Sequence, residues 1–200
     1  TTLLYRLPPS DYLAAYTFFL KRGTQLDGAK LRSQLTLAGY SHVTQVVAPG
    51  EYCVRGGLID LFPMGAALPY RIDLADDEID SIRTFDVDTQ RTVYNVNEVR
   101  LLPAREFPMD EAGRNRFRQQ FREAFEGDAS KSPAYRDVSN GVPPAGVEYY
   151  LPLFFEKTGT LLDYLTPEVP IVLHHDVHAA IDEFWRETNS RYQLLRGDRK

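Results

Sequence analysis

Between Val43 and Leu102 apolar side chains recur at a period of two, in short runs separated by turn-forming residues. Tyr52 and Val54, then Leu58, Leu61 and Phe62, then Ile72 and Leu74, then Ile79, Ile82 and Phe85 supply the apolar positions. Pro49-Gly50, Pro63-Met-Gly65, Asp76-Asp77 and Asp86-Val-Asp88 supply the breaks. This alternation predicts strands that bury one face and fold back on one another as an antiparallel β-meander. Val93 to Leu102 reads as one longer strand that closes it. Arg55, Arg71 and Asp73 fall where alternation turns a side chain outward, so the meander offers a charged face suited to contact with another molecule.

Helical spacing governs the chain on either side. Ser10 stands after Pro8-Pro9, placed to cap a helix through the apolar run to Leu20. Asp27 precedes a second helix in which Leu31, Leu35 and Ala38 recur on one side, and Gly39 can adopt the left-handed conformation that ends it. Beyond Pro103, Met109-Asp110 predicts the start of a helix running to about Glu126, with Phe117, Phe121 and Phe125 at successive four-residue steps. Residues 127–144 read as a loop. Pro152 argues against a central strand in the apolar stretch from Val147 to Phe155, and Leu161–Leu165 reads as a short helical turn. Ile171-Val-Leu173 has the continuous apolar character of a buried strand in an α/β layer. Asp176 is placed to cap a last helix carrying Ile181, Phe184, Trp185 and Tyr192. Helices followed by a run of strands predict an α+β domain over about residues 16–101.

The chain has 200 residues, 43% hydrophobic and 26% charged, enough for a buried core in one large or two small domains. A formal net charge of −5 makes it a poor ligand for duplex DNA by itself, because neutralising phosphates needs clustered Lys and Arg. Arg114-Asn-Arg116-Phe-Arg118 is only a local basic spot. Cys53 is the single cysteine, so no internal disulfide forms, which fits a reducing, cytoplasmic setting. No apolar run reaches bilayer length. The chain opens without an initiator methionine and stops directly after a helical pattern, so both ends read as cut from a longer protein.

Two strings carry a family likeness: Arg55-Gly-Gly-Leu-Ile-Asp-Leu-Phe-Pro63, and Tyr70-Arg-Ile-Asp-Leu-Ala-Asp-Asp-Glu-Ile-Asp-Ser-Ile-Arg-Thr-Phe-Asp86. They resemble the amino-terminal UvrB-homology module of bacterial transcription-repair coupling factors, the Mfd family, and UvrB has a similar string. Leu101-Leu-Pro-Ala104, Glu106-Phe-Pro108 and Pro144-Ala-Gly-Val-Glu-Tyr-Tyr-Leu-Pro-Leu-Phe-Phe155 are similar to the coupling-factor pattern. The resemblance implies that the meander domain, residues 16–101, binds UvrA. It implies that residues 1–15 end the first half of a UvrB-like domain with a degenerate helicase-type α/β fold, and that residues 102–200 form part of its second half. Arg55 and Arg71, with Asp73 beside the latter, match the family's UvrA-facing positions. Ala75 stands where many members carry an aromatic residue, and Cys53 where UvrB carries a basic one; the implied contact set is therefore Arg55, Arg71, Asp73, Ala75 and Cys53.

The resemblance implies a non-enzymatic piece of a DNA translocase. The sequence holds no Gly-x-x-x-x-Gly-Lys-Ser/Thr phosphate loop, so no cofactor is expected here, and ATP and magnesium belong to a motor region of the parent protein. RNA polymerase and DNA would meet other parts of that parent. Two alternatives stay open: a part of UvrB itself, and a small metallohydrolase using His174-His175-Asp176-Val177-His178. Against the second, neighbouring residues of a strand point to opposite faces, so His174 and His175 do not readily share a metal. Asp76, Asp77, Glu78 and Asp80 lack the spacing and glycine of a calcium loop and read as a solvated turn. Phe117, Phe121 and Phe125 read as a core-facing stripe, and Cys53 as a quiet strand residue.

Overall fold

The computed structural model describes residues 2–197. The chain passes through a short helix, Ser10–Tyr16 (α1), a strand, Phe18–Lys21 (β1), and a second helix, Gly28–Leu37 (α2). Asp27 caps α2, its Oδ1 accepting from the backbone N–H of Ala29 and Lys30 at 2.9 and 3.0 Å. Gly39 follows at φ +90°, closing the helix in the left-handed region as the sequence predicts. The helix expected to run from Ser10 to Leu20 ends early, because Phe18–Lys21 is drawn into strand pairing. Local propensity yields there to burial of Leu20.

Six strands then build one sheet: Ser41–His42 (β2), Glu51–Arg55 (β3), Leu58–Leu61 (β4), Tyr70–Ala75 (β5), Glu78–Phe85 (β6) and Thr92–Val96 (β7). They lie in sequence order; β2 pairs parallel with β3, and every later pair is antiparallel. The meander therefore forms, but its last strand is not the long one expected. The chain breaks at Asn97, whose carbonyl accepts from the N–H of Arg22 at 2.9 Å. Glu98–Leu101 (β8) then leaves the sheet and pairs antiparallel with β1, Phe18 opposite Leu101.

The inner face of the sheet packs on α2. Leu31 and Leu35 meet Ile59, Leu61, Ile72 and Ile82, with Leu20, Val99 and Leu101 sealing one side. A second cluster joins α1 to the carboxy-terminal half. Glu111–Ala124 (α3) starts at Asp110, whose Oδ1 accepts from the Gly113 N–H at 2.8 Å, as its capping position predicts. Phe117 and Phe121 of α3 pack with Tyr12, Phe154 and Val138. Val138 lies in Pro133–Ser139 (α4), and Phe154 in a 3-10 turn over Val147–Phe154. Phe125, the third ring of the expected stripe, lies at the end of α3 and is exposed. The whole is α+β.

The region beyond Leu165 differs from expectation. Ile171-Val-Leu173 forms no strand, and Val172 is 87% exposed. A parallel strand needs hydrogen-bonded neighbours on its edges, and none lies beside it among the described residues. Val177–Gly197 (α5) does form, with Asp176 Oδ1 accepting from the Ala179 N–H at 3.0 Å. Its Trp185 and Tyr192 remain exposed.

Candidate protein-docking face

The outer face of the sheet is set by register. The hairpin between β3 and β4 turns on Gly56 at φ +60°, which pairs Arg55 with Leu58 and Cys53 with Asp60. A Cβ on Gly57 would sit 3.0 Å from the Leu74 carbonyl, so the turn fits closely over β5. Across the next strands, Cys53, Asp60, Arg71, Arg83 and Asn95 form one cross-strand row. Arg55, Leu58, Asp73 and Ser81 form the neighbouring row on the same face. Between them runs an inward row, Val54, Ile59, Ile72, Ile82 and Val96. A bulge between Asp73 and Leu74 on β5, opposite the extra residue Asp80 on β6, brings Arg83 onto the outer face.

Asp60 organises this surface. Its side chain is 1% exposed and takes two bonds from Arg71, Nε to Oδ1 at 2.7 Å and Nη2 to Oδ2 at 2.9 Å. Arg55 adds a third, Nη2 to Oδ2 at 2.7 Å. One buried carboxylate thus faces two guanidiniums, an arrangement that supplies the compensation a buried charge needs. The Arg71 guanidinium also lies 4.5 Å from the centre of the Phe85 ring, and donates to the carbonyl and side-chain oxygens of Gln90 at 3.2 and 3.3 Å. Its hydrogen bonds to Asp60 raise its pKa above the ordinary arginine value, against the opposing effect of burial. Arg71 is 16% exposed, whereas Arg55 is 52% exposed and spends only Nη2 on a partner among the described residues.

A second pair lies alongside. Asp73 Oδ2 accepts from the Ser81 hydroxyl at 2.6 Å and from Nη2 of Arg83. Arg71 and Arg83 stand directly opposite in adjacent strands, where like charges repel. Asp60 and Asp73, one carboxylate to each, make that juxtaposition tolerable. Nε of Arg83 is buried without a partner among the described residues.

The structure therefore brings Arg55, Arg71 and Asp73 to one face. Ala75 lies exposed at the end of β5, beside the Asp76-Asp77 turn. Cys53 shares the row but not the exposure: it is 3% exposed, packed with Val46, Phe62 and Phe85, and its thiol donates to the Thr44 carbonyl at 3.4 Å. Its side chain is a support beneath the face and is not offered to a partner. Sequence reasoning passed over Asp60, Arg83, Phe85 and Gln90. A signal for Asp60 existed, since a two-residue Gly-Gly hairpin fixes it opposite Cys53 and in phase with Arg71. The acidic turn is solvent-exposed, and His174, His175 and His178 lie exposed before and at the start of α5. Among the described residues no group of three or more His, Cys, Asp or Glu is arranged to hold a metal, and no helix is long and apolar enough to cross a membrane.

A six-stranded sheet with one face buried on a helix and the other carrying paired ions has the form of a docking domain. Residues 18–107 match the family model of the UvrB interaction domain. Along nearly its whole length the chain is similar to transcription-repair-coupling factors. It is 46% identical over 200 residues to that of Haemophilus influenzae, covering 99% of this chain and 17% of the relative. The Escherichia coli protein is 45% identical over 193 residues, covering 96% and 17%, and that of Bacillus subtilis 29% identical over 185 residues, covering 86% and 16%. The chain thus spans 17% of the length of the first two relatives.

Proposed function

We propose that this chain is the UvrA-recruiting module of a transcription-repair coupling factor. The observation that carries the reading is the pair Arg55 and Arg71, joined through Asp60 on the open face of a UvrB interaction domain. Guanidiniums on a rigid sheet suit carboxylates of a partner, because each can make two parallel charge-assisted bonds. Asp73 adds an acceptor beside them, and Ala75 lies exposed at the end of the same strand.

The mechanism is tethering. The module holds UvrA while other regions of the parent protein engage stalled RNA polymerase and DNA and use ATP with magnesium, in the cytoplasm. This segment contributes recognition and no chemistry. A partner shared with UvrB implies competition, since a UvrB interaction domain in either protein would cover the same UvrA surface.

Calorimetric titration with UvrA tests the reading. Arg55→Ala is expected to cost about 2 kcal/mol of binding, roughly a thirtyfold rise in Kd, with a cooperative melting curve lowered by no more than a few degrees. Full affinity in that variant, or no binding by the unsubstituted chain, would remove the assignment.

A further inference from the structure

We propose that Asp60 is a positioning residue of the docking face: it fixes both arginines before the partner arrives, and leaves Arg55 with an uncommitted guanidinium edge for an acidic group of that partner. The inference deepens the UvrA reading and rests on it.

Three observations converge. First, Asp60 is buried on β4, between the strands that carry Arg55 and Arg71, and three of its acceptor sites are filled by those two side chains. Second, the two arginines are used unequally. Arg71 engages Nε, Nη1 and Nη2 with Asp60 and Gln90 and lies against Phe85, whereas Arg55 engages Nη2 alone among the described residues. Third, Asp60 cannot itself meet a partner, because its side chain is covered. An arginine side chain loses considerable rotamer freedom when it is held in one geometry, and a site that has already lost it binds more tightly. Asp60 provides that restraint without occupying the free edge of Arg55. Its effect on binding therefore runs through the arginines.

The test is a double-mutant cycle read by titration of this chain with UvrA. Asp60→Asn keeps the shape but replaces one acceptor oxygen with an NH2 group that faces donors. It is expected to weaken binding about tenfold. In an Arg55→Ala background the same substitution is expected to weaken binding by less than about threefold, since one of the two side chains it positions is gone. Wild-type affinity in Asp60→Asn, or losses that multiply in full, would overturn the positioning role while leaving UvrA recruitment standing. Absence of binding by the unsubstituted chain would overturn both. A separate reading needs no variant: in 15N spectra of the free chain, the Arg71 Nε–H is expected to exchange slowly with solvent. Rapid exchange there would show an arginine that is not held in advance, and would refute the proposal even if Asp60→Asn does not fold.

Discussion

Arg55 and Arg71 bond the same carboxylate, yet they are not equivalent. Arg71 is largely covered and supports a buried charge; Arg55 is half in solvent, where an ion pair adds little to stability. Arg71→Ala leaves Asp60 with one bond in place of three and exposes Phe85, so it is expected to lower unfolding stability by about 3 kcal/mol in urea titrations. Arg55→Ala is expected to lower it by less than about 1 kcal/mol. Equal losses would contradict the division of labour. Outward placement of both arginines was legible from alternation alone. The register of Arg83 was missed, although Ile79 and Ile82, both apolar but three residues apart, mark the extra residue Asp80 that shifts β6 by one. The burial of Cys53, which takes it out of the implied contact set, was not legible, since a strand's outer phase does not reveal that the loop from Val43 to Val46 covers its end.

At the level of elements, three of the four expected caps form, because Asp27, Asp110 and Asp176 act through neighbours a few residues away; Ser10 instead lies inside α1 as its first residue and makes no capping bond. Elements decided by distant partners were not legible. Phe18–Lys21 continues the apolar run of α1 but pairs with Glu98–Leu101, about eighty residues on. Ile171–Leu173 has strand composition but finds no neighbour among the described residues. Helix α3 carries a constraint of the same long-range kind. A Cβ on Gly113 would stand 2.4 Å from the Pro108 carbonyl, closer than any real contact. Gly113→Ala, ordinarily worth up to about 1 kcal/mol in favour of a helix, is expected to destabilise here by about 2 kcal/mol and to lower the melting temperature. A higher melting temperature would show that the Pro108 segment moves aside freely.

Across the whole molecule, the second cluster holds α1 against the chain that follows the sheet. Tyr16 donates to Asp110 at 2.7 Å, and burial, then the bond and charge of Asp110, push its pKa up to about 12. Tyr12, deeper in the cluster, is displaced in the same direction by burial. The fold favours the neutral phenol, so this contribution is fully present below pH 10 and is lost as pH climbs from 10 through about 12. Chemical unfolding across that range is expected to show stability falling, with a shallower fall in Tyr16→Phe; an identical slope in the variant would place the loss elsewhere. The fold class was legible as α+β, because periodicity distinguishes helix from strand over most of the chain.

The pairing of β1 with β8 has one more consequence. Phe18 and Leu101 sit opposite each other, so the polypeptide enters and leaves the meander through adjacent doorways about 5 Å apart. A unit with such a closed neck can be grafted as a cassette into a surface loop of an unrelated scaffold, where it asks the host to open a gap no wider than one strand spacing.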